Sequence, residues 1–99
     1  MARPTRLGDS EIQAWLVEHP GWERVGADKP EALAKSFKTK DFAHSMAFAV
    51  KVGMAAEKKD HHPDIELGWG KARFVWSTHD AGGITLLDLE LAEATDSLA

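Results

Sequence analysis

The strongest constraint in this sequence is the regular spacing of apolar residues along residues 41–56. Apolar or small side chains recur there at intervals of four, three, four and three: Phe42, Met46, Ala49, Gly53 and Ala56. This spacing places them on one face of an α-helix, which Phe48 and Val52 widen. Asp41 precedes the run and can act as the N-cap. We therefore predict a helix of about 17 residues that supplies much of the core.

The length of the chain limits what can surround this helix. With 99 residues, the chain fits one domain, and a domain of this size buries only about 60–70% of the surface that its unfolded chain exposes. Self-association would therefore help it. Residues 1–8 show no periodicity and are predicted to form a flexible N-terminal arm, with a single domain over residues 9–99.

The segment before the long helix predicts one short helix and two strands. Ser10 and Gln13 have the spacing of a capping box, and the apolar stripe that follows ends at a Pro-Gly pair. Short strands are expected at residues 22–25 and 33–37. Residues 31–35 are also compatible with a helix.

The segment after the long helix predicts two more strands and a last helix. Pro63 ends the helical region, because its ring disfavours a helical conformation at the residue before it. Residues 65–67 and the alternating residues 72–78 are expected to form a hairpin. Thr85 and Asp88 have the spacing of a capping box at the start of the last helix.

These elements define a fold class. Their order is α-β-β-α-β-β-α, with one long helix between two hairpins. The simplest arrangement is an α+β fold, a four-stranded antiparallel sheet with helices packed on one face.

Composition excludes several classes of function. A formal net charge of −4 and a sequence pI of about 5.7 argue against direct nucleic-acid binding through phosphate contacts. The chain has no cysteine, so it has neither disulfides nor thiolate zinc ligands. No run approaches the ~20 apolar residues that span a membrane, and we expect no membrane association and a cytoplasmic location.

Histidines supply the candidate chemistry. Three of the five histidines, His61, His62 and His79, lie in two short polar segments, residues 57–63 (EKKDHHP) and 77–83 (STHDAGG). Imidazole donates and accepts protons near neutral pH, so the cluster suits acid/base catalysis. Taken singly, such histidines are more often surface or hydrogen-bonded structural residues, and clustering weakens that interpretation without removing it.

Two other kinds of site fit the sequence less well. Three histidines permit a zinc site, but adjacent His61 and His62 on an extended segment would point to opposite sides, and we expect no metal. Nucleophilic catalysis is not supported, because the chain has no cysteine and no serine in a Gly-x-Ser-x-Gly motif. The pair at residues 82–83, Gly-Gly, is typical of a turn.

Several motifs occur together at fixed separations: Glu57-Lys58-x-Asp60-His61-His62-Pro63, Ser77-Thr78-His79, Gly83-x-Thr85, Asp88, Lys40-Asp41-Phe42 and Gly21-Trp22. This combination resembles the pterin-4a-carbinolamine dehydratases, which in animals are also dimerisation cofactors of a homeodomain transcription factor. The resemblance extends from the first helix onward and includes the predicted antiparallel sheet with helices on one face.

The resemblance implies an activity. It is the dehydration of 4a-hydroxytetrahydrobiopterin, or a related 4a-hydroxytetrahydropterin, to the quinonoid dihydropterin, with no metal or redox cofactor. Loss of water requires a proton for the departing hydroxyl and a base for the N5 hydrogen, and histidines supply both. Members of this family are dimers or tetramers, so a homodimer or homotetramer is expected. The alternative is a non-catalytic binding or assembly protein on the same fold.

The resemblance also assigns residues to roles. His61 and His79 correspond to the acid/base pair and His62 to a residue that orients the pterin. The side chains expected to lie around the pterin ring and bind it are Glu57, Asp60, Ser77, Thr78 and Asp80. Asp88 is expected to support His79 from the last helix. Residues 64–71, with Trp69 between glycines, depart from the aromatic-rich stretch of the animal members.

Overall fold

The structure, a computed structural model, describes residues 5–27 and 30–99. Its elements in chain order are α1 (Asp9–Glu18), β1 (Glu23–Val25), β2 (Ala32–Lys38), α2 (Phe42–Lys58), β3 (Asp64–Gly68), β4 (Lys71–Trp76), a short 3₁₀ turn (His79–Ala81) and α3 (Leu86–Leu98). The predicted order of helices and strands is confirmed. Residues 31–35 do not form a helix, because β2 pairs there with both neighbouring strands.

The four strands form one antiparallel sheet in the order β1-β2-β4-β3. In β4, Ala72, Phe74 and Trp76 are fully buried and alternate with more exposed residues. Leu33 of β2 pairs with Trp76, and Ile65 of β3 pairs with Phe74, so all three strands present apolar side chains to the same face. Helices α2 and α3 contact that face. The predicted α+β architecture is therefore confirmed.

The rotation of α2 differs from the prediction. The N-cap is Asp41, whose carboxylate accepts the His44 backbone N–H at 2.8 Å, and the helix has the expected 17 residues. The His44 side chain and backbone N–H also hold the pKa of the Asp41 carboxyl below its ordinary value. The buried residues are Ser45, Phe48, Val52 and Ala56. Phe42 and Met46, predicted to lie in the core, are 48% and 43% exposed.

The physical reason for this rotation is that α2 is apolar around most of its circumference, so periodicity alone permits more than one buried face. The Ser45 hydroxyl distinguishes the faces, because it donates to the carbonyl of Gly68, the last residue of β3, at 2.9 Å. No helix among the described residues has the length and apolar character needed to cross a membrane.

The start of the chain also differs in part from the prediction. Helix α1 has Gly8 as its N-cap instead of Ser10, and the Gly8 N–H donates to Glu11 Oε1 at 3.3 Å. Residues 1–4 of the predicted arm lie outside the described residues. The Leu7 N–H donates to the Ile84 carbonyl at 2.8 Å, which places this part of the chain against the segment before α3.

A polar cluster fixes α3 on the sheet. Lys35 lies on the helix-covered face of β2, and its ammonium is 2.7 Å from Asp96 Oδ1 and 4.7 Å from the centroid of the Phe37 ring. The Trp22 indole N–H donates to Asp96 Oδ2 at 2.9 Å. Since the Lys35 and Asp96 side chains are only 20% and 31% exposed, the pair is screened less than a surface ion pair.

We predict that Asp96→Ala lowers the free energy of unfolding by about 2–3 kcal/mol, because it leaves the Lys35 ammonium and the Trp22 N–H without their partner. Urea denaturation followed by far-UV circular dichroism measures this. In a Lys35→Met background, Asp96→Ala should lower the free energy of unfolding by at most about 1 kcal/mol. Equal losses in both backgrounds would show that the ion pair is not the cause.

Candidate active site

The end of α2 brings His61 into the interior. The Asp60 N–H donates to the Glu57 carbonyl at 3.1 Å, and the His61 N–H donates to the Ala56 carbonyl at 3.2 Å. These two bonds are those of a Schellman motif, in which one residue takes the left-handed conformation. That residue is Asp60, with φ of +49°. Glycine is usual at this position, and aspartate is one of the few other residues that adopt the left-handed conformation.

His61 is held on two sides. Its ring lies parallel to that of Trp76, with centroids 6.1 Å apart and an interplanar angle of 8°. Its Nε2 is 2.7 Å from Asp88 Oδ1, and its side chain is 12% exposed. The expectation that Asp88 supports His79 is therefore corrected: Asp88 holds His61. The sequence could not decide between the two histidines, because the choice depends on how α3 packs against the end of α2.

Asp88 is fully buried at the first turn of α3. Its Oδ2 accepts the Thr85 backbone N–H at 2.9 Å and the Thr78 hydroxyl at 2.8 Å. The two threonine hydroxyl oxygens are themselves 2.9 Å apart. Thr85 was predicted only as a helix cap, and its contact with the Thr78 hydroxyl was missed. The available signal was its capping-box spacing to Asp88.

His62 lies on the solvent side of the same junction. Its Nε2 is 2.8 Å from Glu57 Oε1, and the two side chains are 58% and 78% exposed. The large difference in exposure between His61 and His62 agrees with the expectation that adjacent residues of an extended segment point to opposite sides.

His79 occupies a closed turn that follows β4. The Thr78 N–H donates to the Gly83 carbonyl at 2.9 Å, and the Gly83 N–H donates back to Thr78 at 3.2 Å. Gly82 allows this turn because its φ is +75°. His79 and Asp80 are exposed at its start. Thr78, the residue before His79, has its hydroxyl 3.5 Å from His61 Nε2.

Direct contacts thus join His61, Thr78 and Asp88, while His62 pairs with Glu57. The Ser77 hydroxyl instead donates to the Glu31 carbonyl at 2.8 Å, in the segment before β2. The arrangement thus offers one largely buried imidazole with a carboxylate partner and two exposed imidazoles, and imidazole is the side chain most often used for acid/base catalysis.

No group of three or more potential metal ligands converges within residues 5–27 and 30–99. The alternative of a histidine zinc site therefore has no set of ligands in this part of the chain.

Comparison with known proteins places this arrangement in a family. The family model for pterin 4 alpha carbinolamine dehydratase matches residues 5–98. A protein of Thermosynechococcus vestitus, provisionally named a pterin-4-alpha-carbinolamine dehydratase, is 39% identical over 94 residues, which cover 95% of each chain.

Two solved structures share the fold. A transcriptional coactivator/pterin dehydratase from Brucella melitensis is 33% identical, with a TM-score of 0.87 over 96% of this chain and 99% of that one. A pterin dehydratase-like protein identified as a RuBisCO assembly factor in the alpha-carboxysome is 24% identical, with a TM-score of 0.68 over 82% and 92% of the two chains. The present chain belongs to the pterin-4a-carbinolamine dehydratase family.

Proposed function

We propose that this protein is a hydro-lyase that converts 4a-hydroxytetrahydrobiopterin, or a related 4a-hydroxytetrahydropterin, to the quinonoid dihydropterin and water. The observation that carries the proposal is the His61–Asp88 pair, 2.7 Å apart, beside the turn that holds His79. A histidine with a fixed partner has a defined orientation, which acid/base catalysis needs. Recycling of the reduced pterin in the cytoplasm is part of the same proposal.

In this reaction the C4a–O bond and the N5–H bond break, a C4a–N5 double bond forms, and water leaves. One imidazole gives a proton to the departing hydroxyl, and another accepts the N5 proton. We assign these two tasks to His61 and His79 together. His62, whose ring is paired with Glu57, is assigned to orienting the pterin.

The remaining expected pterin contacts divide into two groups. Asp60 and Asp80 are exposed and available to a ligand. The hydroxyls of Ser77 and Thr78 donate to groups of the protein itself. We therefore assign Ser77 and Thr78 to holding the His79 turn in place.

Replacing the acid/base histidines should abolish most of the activity. We expect His61→Ala and His79→Ala each to lower the dehydration rate by about 100-fold or more, the usual scale for loss of a general acid or base. Stopped-flow absorbance with a synthetic 4a-hydroxytetrahydropterin measures the rate. His44→Ala is the matched control, since His44 is exposed near the start of α2 and pairs with Asp41. Rates equal to that of the control would refute the proposed roles.

Asp60 allows stability and activity to be separated. Asp60→Gly should keep or raise the free energy of unfolding, by up to about 1 kcal/mol, because glycine adopts the left-handed conformation without strain. Activity should nevertheless fall by about tenfold, since the carboxylate beside the histidines is lost. Asp60→Asn is the isosteric control for charge. Wild-type rates in the glycine variant would reduce Asp60 to a role in the backbone turn.

We also propose that a second copy of the chain covers the outward face of α2. Four large apolar residues lie there at intervals of four: Phe42, Met46, Val50 and Met54, which are 48%, 43%, 58% and 65% exposed. A helix that is apolar on its outer face as well as its inner face is typically buried in an assembly. The same face on two copies is self-complementary about a two-fold axis, which fits a homodimer or homotetramer.

Charges on this face should disrupt the assembly. We expect Val50→Glu/Met54→Glu to have a smaller molar mass than the wild type in light scattering coupled to size-exclusion chromatography, because carboxylates would be buried without partners. Val17→Glu is the control, since Val17 is 71% exposed on α1. An unchanged molar mass in the double variant would contradict the proposed use of this face.

A binding or assembly protein without catalysis is the second candidate function. The exposed apolar face of α2 favours it, and the structural neighbour described as a RuBisCO assembly factor shows that the fold occurs in such a protein. Normal partner assembly with no pterin turnover in the stopped-flow assay would select this function over the dehydratase.

A further inference from the structure

The buried Asp88 carboxylate receives hydrogen bonds from three sides. At Oδ2 these come from the Thr85 N–H at 2.9 Å and the Thr78 hydroxyl at 2.8 Å, with the Thr85 hydroxyl farther away at 3.4 Å. At Oδ1 the partner is His61 Nε2, at 2.7 Å. Since the Asp88 side chain is fully buried, the protein itself must provide the hydrogen-bond partners of this group.

Counting protons gives these bonds a direction. The Thr85 backbone N–H can only donate. The Thr78 hydroxyl has one hydrogen, and giving it to Asp88 leaves only a lone pair for Thr85 Oγ1, 2.9 Å away. The Thr85 hydroxyl then has two acceptors, Thr78 Oγ1 at 2.9 Å and Asp88 Oδ2 at 3.4 Å, and the shorter distance favours donation to Thr78. The result is a chain of donors from Thr85 through Thr78 to Asp88, which lies at the positively polarised start of α3.

We infer that Asp88 fixes the tautomer of His61, with the hydrogen on Nε2, so that Nδ1 is the nitrogen that exchanges a proton with the pterin. An acceptor oxygen at 2.7 Å from Nε2 requires a hydrogen on that nitrogen. No group among the described residues hydrogen-bonds Nδ1. This assignment rests on the proposed function only where it names the pterin.

Thr85 is accordingly a positioning residue, acting on His61 through Thr78 and Asp88. It has no accessible surface of its own. Its backbone N–H donates directly to the carboxylate, and its hydroxyl lies 2.9 Å from Thr78 Oγ1 and 3.4 Å from Asp88 Oδ2. Thr85, the N-cap of α3, therefore also helps to set the orientation of the His61 imidazole.

The test reads the tautomer directly. Long-range ¹H–¹⁵N correlation spectra of ¹⁵N-histidine-labelled protein, recorded without substrate near pH ~8.5, where ordinary imidazoles are neutral, should show His61 with a protonated Nε2 and an unprotonated Nδ1. His61→Gln identifies the signal. A hydrogen on Nδ1 in the wild type would overturn the assignment, whatever the variants do.

Two variants then test Thr85. Thr85→Val keeps the shape and the backbone N–H but removes the hydroxyl, and it should add the second tautomer and lower kcat by about 10- to 100-fold. Thr85→Ser should restore the single tautomer and the wild-type kcat. A valine variant with the wild-type tautomer and kcat would overturn the role of Thr85.

Because the spectra need no substrate, they test the tautomer of His61 independently of the proposed function. Absence of turnover in the wild type would overturn the dehydratase, whereas the protonated nitrogen of His61 would still decide the tautomer.

Discussion

The rest of the site depends on one buried charge. The Asp88 carboxylate lies where α3 begins, where β4 has just ended and where α2 turns toward β3. Burying a carboxylate without partners costs several kcal/mol, so these three segments must meet in register before Asp88 can be buried. Thr78, Thr85 and His61 supply the partners, one from each of the segments that converge. The same bonds that complete the interior therefore also orient an imidazole, and fold and site cannot be separated here.

Sequence patterns predicted this architecture where the signal is local. Asp41 and Thr85 were identified as caps because capping requires a particular side chain at a particular position. The predicted rotation of α2 was wrong, because a helix that is apolar around most of its circumference has no single buried stripe. The motifs identified the histidine segments, but the partner of Asp88 was assigned to the wrong histidine, since that choice depends on tertiary packing. Local patterns located the candidate segments, whereas the hydrogen bonds among their side chains required the structure.

Trp76 shows how the core supports the site. Its indole N–H donates to the Thr95 hydroxyl at 3.0 Å, and its ring lies parallel to that of His61. One side chain thus contacts both α3 and the imidazole. A buried aromatic ring with a satisfied N–H is rigid and occupies a fixed position. The stacked ring limits how His61 can tilt, while Asp88 limits how it can rotate, and together they leave the imidazole little freedom.

Helix α2 contributes to both the candidate site and the proposed assembly surface. Its inner face packs on the sheet, its C-terminal turn positions His61, and its outer face presents Phe42, Met46, Val50 and Met54 to solvent. Asp88 and Trp76, which hold His61, belong to the same chain as His61. These two contacts therefore form without a partner on the outer face. The proposed assembly and the proposed catalysis thus use different parts of α2, so a substitution in one part can change one property without the other.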